Sequence, residues 1–128
     1  MLPRFIQKLK HRTAAQQAGQ RGERLALEYL LGRGLQCLTC NYRCKGGEID
    51  LVMRSRDSLV FVEVRYRSRS DYGSAADSIT LTKRKRLQRA AQHYLLHTRD
   101  DSPCRFDVVT IDGAQIDWIE NAFDIVES

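Results

Sequence analysis

The chain has 128 residues, of which 42% are hydrophobic and 29% charged, a composition typical of one globular domain with a single core. No apolar run approaches the roughly 20 residues that a membrane span needs, and residues 1–12 lack the apolar block of a secretion signal. These properties exclude an integral membrane protein and favour a cytoplasmic one. We expect residues 1–13 to form a basic, partly disordered arm and residues 14–128 to form a single domain.

Charge is distributed unevenly along the chain. Residues 1–99 hold 20 Lys and Arg against 8 Asp and Glu, whereas residues 100–128 hold one Arg against 8 acids. The basic body predicts one strongly positive face, as a protein that binds a polyanion needs. A solvated surface of mixed charge is the alternative.

Hydrophobic periodicity predicts two helices and five strands. Gly32 and Gly34 end the first helix, and a two-residue turn at Arg56-Asp57 joins the second and third strands. This order predicts a mixed α/β fold in which helices cover a sheet. In chain order the predicted elements are a helix at 14–31, strands at 35–43, 47–53 and 58–66, a helix at 80–97, and strands at 105–111 and 115–119.

Three of the four cysteines, Cys37, Cys40 and Cys44, form a run with zinc-like spacing, and Cys104 is distant from them. However, the odd separation of Cys37 and Cys40 within a strand predicts that their side chains point to opposite faces. The second half of the chain also lacks a paired ligand motif. We therefore expect reduced thiols in the core of a cytosolic protein rather than a structural zinc site.

The second and third strands carry acids within otherwise apolar, β-branched runs. An ionised carboxylate there is costly to bury unless it is paired or bound to a metal. The turn at Arg56-Asp57 would place Asp50 directly across from Glu63, and alternation would place Arg65 on the same face as Glu63. Two neighbouring carboxylates repel each other unless a cation lies between them, and Mg²⁺ suits such a pair. Salt bridges of these acids with Arg65 and Lys83 are the structural alternative.

The second helix opens with four basic residues, Lys83 to Arg86. By helical angle Lys83 lies close to the apolar stripe, so we expect it to reach toward the two carboxylates. Residues on the solvent side and in the preceding loop are suited to sequence-independent contacts with backbone phosphates. A solvated helix face is the alternative. The predicted nucleic-acid contacts are Arg67, Arg69, Lys85 and Arg89.

The chain carries a specific set of motifs. They are Gly22-Glu23 with Ala26 and Tyr29-Leu30, Asn41-Tyr42-Arg43, Gly47-Glu48-Ile49-Asp50-Leu51, Phe61-Val62-Glu63-Val64-Arg65, the helix around Lys83 and Leu87, Arg105-Phe106-Asp107-Val108-Val109, and Asn121-Ala122-Phe123. In these motifs the chain resembles the YraN-like family of small bacterial proteins, and the resemblance covers nearly all residues after about Ala14. It implies a restriction-endonuclease-like fold, with a mixed central sheet flanked by helices, and similarity to archaeal Holliday-junction resolvases.

In the restriction-endonuclease-like superfamily, an Asp and a Glu-x-Lys motif on adjacent strands form a metal site. Carried onto this chain, the resemblance makes Asp50 and Glu63 ligands of Mg²⁺ or Mn²⁺, and Glu23 the additional acid that completes the site. A solvated or capping role is the alternative for Glu23. Arg65 occupies the lysine position, and arginine does not lose its proton in proteins, so it cannot act as a base. It can still stabilise a charged phosphate, and Lys83 is a further candidate for that role.

The resemblance implies a Mg²⁺-dependent, structure-selective DNA endonuclease that acts on branched DNA, by analogy with the resolvases. Such enzymes act as two-fold dimers, so a homodimer is expected. One alternative is a nuclease-derived module that binds nucleic acid without cutting it, which Arg65 equally permits. Another is an adaptor whose acidic end, 112–127, docks onto a DNA repair or uptake protein.

Overall fold

The computed structural model describes residues 14–66 and 79–125, with side chains from residue 19 onward in the first range. The predicted basic arm, 1–13, and two predicted phosphate contacts, Arg67 and Arg69, lie outside the described residues. No described helix is long and apolar enough to cross a membrane. The elements are α1 (Ala14–Gly32), β1 (Gln36–Cys44), β2 (Gly47–Ser55), β3 (Ser58–Tyr66), α2 (Leu81–Thr98), β4 (Cys104–Asp112) and β5 (Gln115–Phe123).

The five strands form one sheet in the order β1-β2-β3-β4-β5. Strands β3 and β4 are parallel, and the other neighbouring pairs are antiparallel. A parallel pair needs a long crossover connection, and α2 lies within that connection. A five-stranded mixed sheet flanked by two helices confirms the predicted mixed α/β fold and is consistent with the restriction-endonuclease-like architecture.

The sheet separates two apolar layers, and the alternation of β3 determines which side chains enter each layer. Leu59 and Phe61 pack in the layer that contains α2. Val60 and Val62 pack in the layer that contains α1. Burying each such side chain contributes about 1.5–3 kcal/mol. Because successive side chains point to opposite faces, Glu63 is directed to the α2 side of the sheet.

A bulge in β1 overturns both predictions about the cysteines. The register of β1 against β2 shifts between Cys37 and Thr39, and an extra residue in a strand reverses the alternation of side chains. Cys37 and Cys40 therefore lie on the same side, with their Sγ atoms 3.6 Å apart. The expected core position is also wrong, because β1 is an edge strand and both thiols are exposed. Cys104 is exposed and Cys44 is half-buried.

Strand β5 extends to Phe123, beyond the predicted end at Ile119. Its pairing with β4 shifts register between Phe106 and Val108, and Asn121 has a positive φ of 50°. These irregularities remove the period-2 pattern on which the prediction depended. The ring of Phe123 nevertheless stacks on Phe106, with centroids 5.0 Å apart, and so closes one end of the α2 layer.

Candidate metal centre

The candidate site lies where β2 separates from β3. The two strands pair from Ser55–Ser58 to Leu51–Val62, in the register that the sequence predicted. Beyond Leu51 no further β2–β3 pair forms, and Asp50 Oδ2 instead accepts a hydrogen bond of 2.8 Å from the backbone N–H of Val64. The Asp50 side chain thus satisfies a backbone donor at the fork. This bond holds the carboxylate in the gap between the strands.

Glu63 lies beside Asp50 at the same fork. Its residue is only 9% exposed, and its carboxyl group interacts electrostatically with that of Asp50. Burial raises the pKa of Glu63 to about 7, and the charge of Asp50 adds to the increase. Burial also raises the pKa of Asp50, although the Val64 N–H opposes this. The pair therefore binds protons at a higher pH than ordinary carboxyl groups, because burial disfavours the charged forms and the neighbouring cation compensates only part of the charge.

Lys83 supplies part of that compensation from α2. Its Nζ lies 3.4 Å from Glu63 Oε1, and its side chain remains about half exposed. The position follows from the start of α2, where the Thr80 hydroxyl caps the helix by accepting the backbone N–H of Lys83. Lys83 thus reaches the carboxylates as the sequence predicted. It forms an ion pair with Glu63, which is the contact that the structural alternative also predicted. One ammonium group faces two carboxyl groups, so the pair retains negative charge.

The donor set at the fork fits a hard divalent cation. Asp50 and Glu63 provide carboxylate oxygens, the ligands that Mg²⁺ prefers. Across 14–66 and 79–125, no group of three or more His, Cys, Asp and Glu side chains gathers closely enough to hold a metal. Mg²⁺ is commonly held by one or two carboxylates, with water and phosphate oxygens as its remaining ligands. Two protein ligands are therefore consistent with this ion.

Glu23 lies apart from the carboxylate pair. It lines a cleft of about 220 Å³ between α1 and the β1–β2 region, together with Cys40, Asn41 and Leu51. Leu51 belongs to the α1 layer, whereas Glu63 is directed to the α2 side. The described structure thus does not bring Glu23 into one cluster with Asp50 and Glu63. Its role as a third metal ligand stays a prediction.

A small opening beside Glu63 reveals a residue that the sequence reasoning missed. Its lining includes Glu63 and Lys83 and also Arg86, one turn further along α2. Side chains three positions apart share a helix face, and this spacing was the signal that could have identified Arg86. Two cations therefore border the outer side of the carboxylate pair. The full lining is Glu48, Glu63, Lys83, Arg86 and Leu87.

The other predicted site residues that the structure describes lie on β3 and on α2. Arg65 is half-buried two positions after Glu63 in β3, so alternation places it on the same side of the sheet. Lys85 and Arg89 are exposed on α2. The side chain of Arg89 extends over Gly46 in the β1–β2 turn, close to where a Cβ atom would lie. Their roles toward DNA stay predictions.

Comparisons with known proteins point to one family. The model described as "Uncharacterised protein family UPF0102" matches residues 22–111. A UPF0102 protein of Janthinobacterium sp. (strain Marseille) is 53% identical over 123 residues, which are 96% of this chain and 98% of that protein. UPF0102 proteins of Alkalilimnicola ehrlichii and Saccharophagus degradans are 52% and 50% identical, over 84% and 87% of this chain and 86% and 96% of theirs.

Proposed function

The chain belongs to the UPF0102 family, and we propose that it is a Mg²⁺-dependent, structure-selective DNA endonuclease that acts in the cytoplasm. This membership confirms the family resemblance that the motifs predicted. The observation that carries the proposal is the pair of neighbouring carboxyl groups at the fork, the buried Glu63 and the half-buried Asp50, faced by the ammonium group of Lys83. The proposed reaction is hydrolysis of a phosphodiester bond. Branched DNA such as a Holliday junction is the proposed substrate, by analogy with the resolvases.

Asp50 and Glu63 would hold Mg²⁺ or Mn²⁺. Such an ion, when bound, supplies an activated water and neutralises phosphate charge. The contribution of the chain is to position the ligands. The Val64 N–H fixes Asp50 at 2.8 Å, and packing of β3 between two apolar layers fixes Glu63. A cation would replace the repulsion between the carboxylates with attraction, which would favour their ionised forms.

The cations around the pair are suited to a phosphate group. Lys83 and Arg86 border the opening beside Glu63, and Arg65 follows Glu63 in β3. A guanidinium group can donate two hydrogen bonds to a phosphate, and its charge stabilises the negative charge that builds up in the transition state. Because Arg65 keeps its proton, its proposed role is to clamp phosphate and not to deprotonate water.

The start of α2 adds positive charge beside Glu63, because Lys83 in its first turn pairs with that residue. A helix N-terminus carries a partial positive charge, and acidic residues in the first turn usually balance it. The first turn of α2 contains no acidic residue, and basic residues follow from Lys83. This charge pattern is unfavourable for an isolated helix but favourable for binding a phosphate backbone. Lys85 and Arg89 would extend the contact along the DNA.

A binding module without nuclease activity is the second candidate function. Arg65 favours it, because the lysine position of the superfamily motif holds a residue that cannot act as a base. In that case the basic face would hold DNA, and Asp50 and Glu63 would only pair with the Val64 N–H and Lys83 without holding a metal ion. A homodimer, or docking onto a DNA repair or uptake protein, is compatible with either function.

Cleavage assays separate the two functions. We expect the purified protein to cut four-way and flap DNA with Mg²⁺ or Mn²⁺ and to leave linear duplexes intact. The near-isosteric variants Asp50→Asn and Glu63→Gln should lose cutting and keep DNA binding in Ca²⁺ or EDTA. Glu28→Gln is the matched control, because Glu28 is an exposed acid on α1, away from the opening beside Glu63. Equal binding with no cutting in any divalent ion would refute the nuclease and leave the binding module.

A further inference from the structure

We propose that Cys37 and Cys40 form a redox-active thiol pair that a peroxide oxidises reversibly to an intrastrand disulfide. The pair lies on β1, and the proposal does not depend on the nuclease function. It rests on the bulge at Leu38, on the distance between the two sulfur atoms and on their access to solvent.

The two sulfur atoms are already in contact. The Sγ atoms lie 3.6 Å apart, and a disulfide brings them to about 2.0 Å. In a regular strand, residues three positions apart would point to opposite faces. The bulge between Cys37 and Thr39 adds one residue to β1 and so brings the two side chains to the same face. Both thiols are exposed on an edge strand, where an oxidant reaches them without any opening of the fold.

The remaining cysteines are not arranged in this way. The thiol of Cys44 hydrogen-bonds to the backbone carbonyl of Lys45 at 3.6 Å. Cys104 begins β4, which is separated from β1 by two intervening strands. In the described part of the chain, Cys37 and Cys40 are therefore the one pair of sulfur atoms in contact.

The two thiols have unequal environments, which predicts the order of the reaction. Although Cys40 is exposed as a residue, its side chain borders the cleft. Partial desolvation there raises the pKa of Cys40 to about 12, and the hydrogen bond and charge of Cys37 add to the increase. Cys37 is therefore the thiol that meets the oxidant, and a sulfenic acid on Cys37 places an electrophilic sulfur in contact with the Cys40 sulfur, which resolves it.

The reaction balances with one peroxide. The Cys37 sulfur attacks the O–O bond of hydrogen peroxide, which forms a sulfenic acid and releases one water. The Cys40 sulfur then displaces the hydroxyl group from the Cys37 sulfur as a second water. Two thiols lose two electrons and two protons, and one peroxide is reduced to two waters. A dithiol reverses the change by thiol–disulfide exchange.

The disulfide would fix the bulge of β1 covalently. It closes a loop of very few residues, so it removes little chain entropy from the unfolded state. Exposed and strained disulfides are the ones that reductants reach most easily. Because Cys40 lines the cleft that also contains Glu23, oxidation would alter that cleft. A reversible modification, and not a structural cross-link, is the expected behaviour.

The test uses the tryptic peptide 34–43, which contains Cys37 and Cys40 and no other cysteine. Reduced protein is treated with hydrogen peroxide, alkylated with iodoacetamide and examined by mass spectrometry. We expect the peptide to lose two hydrogens and to escape alkylation, while Cys44 and Cys104 are still alkylated. Dithiothreitol should restore alkylation at both sites of the peptide.

The Cys40→Ser variant shows whether the second thiol resolves the first. In that variant, oxidised Cys37 should persist as a sulfenic acid that dimedone traps, whereas the unmodified protein should give little adduct. The Cys44→Ser/Cys104→Ser double variant should form the disulfide as the unmodified protein does. Full alkylation of the peptide after peroxide, a sulfinic acid on one cysteine, or a disulfide that joins two chains would each overturn the proposal.

Discussion

Asp50 accepts the backbone N–H of Val64 at 2.8 Å, although the two strands no longer pair at that position. A carboxylate held by a backbone donor keeps its place because the sheet itself supplies the restraint. The partner acid, Glu63, is restrained by the packing of β3. A site held by rigid strands in this way is already ordered before a ligand binds. Its excess negative charge should affect both the pH dependence of stability and the binding of Mg²⁺.

The first prediction concerns stability against pH in the absence of divalent ions. Burial and Asp50 raise the pKa of Glu63 from 4.5 to about 7. Between these values the folded protein holds a proton that the unfolded chain has lost, so stability falls as pH rises through this window and is level above it. Glu63→Gln removes this effect. We expect the variant to be more stable than the unmodified protein at pH 8, by on the order of 2 kcal/mol.

Urea denaturation in EDTA at pH 4 and pH 8 measures this difference. At pH 4 both folded and unfolded Glu63 are protonated, so the advantage of Glu63→Gln should disappear. Glu28→Gln, at an exposed acid of α1, should show no such difference between the two pH values. A variant that is less stable than the unmodified protein at pH 8 would contradict the raised pKa.

The second prediction concerns Mg²⁺. At pH 7.5, protein stripped with EDTA should gain thermal stability as MgCl₂ is added, because an ion that binds only the folded state stabilises it. At tenfold the dissociation constant, the gain in free energy of unfolding is about 1.4 kcal/mol. Asp50→Asn and Glu63→Gln should lose the gain, and Glu28→Gln, at an exposed acid of α1, should keep it. Identical shifts in all four proteins would indicate a general salt effect and no site at the fork.

Glu23→Gln tests the third ligand in the same titration. The described structure places Glu23 in the cleft with Cys40, on the α1 side. We therefore expect this variant to weaken Mg²⁺ binding less than Glu63→Gln does. An equal loss would show that α1 brings Glu23 to the fork when the ion binds.

Much of the fold could be predicted from the sequence because its elements are regular. The predicted and observed bounds of β3 coincide at 58–66, since alternation there is uninterrupted. The two-residue turn after Ser55 then determined which residues of β2 and β3 lie opposite each other. The carboxylate pair followed from the register alone, although the fork that separates the strands after Leu51 did not.

The missed features come from local breaks in that regularity. One inserted residue, Leu38, reversed the faces of Cys37 and Cys40, and a positive φ at Asn121 hid the end of β5. Neither the bulge nor the positive φ can be recognised from the alternation of apolar and polar residues. The position of Glu23 depends on how α1 rotates and docks on the sheet, which is a tertiary property. Periodicity locates the apolar stripe of a helix but not the neighbours of a residue at its rim.

The third prediction concerns the packing of α2 on β2. A Cβ atom on Gly47 would lie 2.2 Å from the backbone oxygen of Arg86 and 3.0 Å from the backbone nitrogen of Ala90. Helix backbone cannot yield as a flexible side chain can, so Gly47→Ala should push α2 away. We expect a loss of about 3 kcal/mol in the free energy of unfolding, measured by urea denaturation.

Gly19→Ala is the matched control for that substitution. Gly19 lies inside α1, and a Cβ there would meet nothing within 4 Å. Alanine is the better helix former, so this variant should gain about 0.5–1 kcal/mol. If Gly47→Ala unfolds at the urea concentration of the unmodified protein, the close approach of α2 to β2 is wrong.

The fourth prediction separates two lysines of α2. Lys83 is 3.4 Å from Glu63 and lowers the pKa of that carboxyl, so Lys83→Gln should raise it further. An NMR titration of the Glu63 side chain without divalent ions measures the shift. Lys85→Gln should leave this titration unchanged and weaken DNA binding alike for all sequences, with a salt slope smaller by about one. Equal effects of the two substitutions on the titration would contradict the assignment of Lys83 to the carboxylate pair.

The last prediction concerns Arg65. If its guanidinium clamps the reacting phosphate, Arg65→Met should reduce the rate of cleavage of branched DNA by about 10²–10³-fold, as loss of one transition-state donor does elsewhere. DNA affinity should change much less, because Lys83, Arg86 and the rest of the basic face remain. Arg65→Lys keeps the charge and restores the residue usual in the superfamily motif, so it should retain cleavage. Cleavage by Arg65→Met at the unmodified rate would remove Arg65 from the mechanism. Cleavage that appears only in Arg65→Lys would instead show that arginine has converted the fold into a binding module.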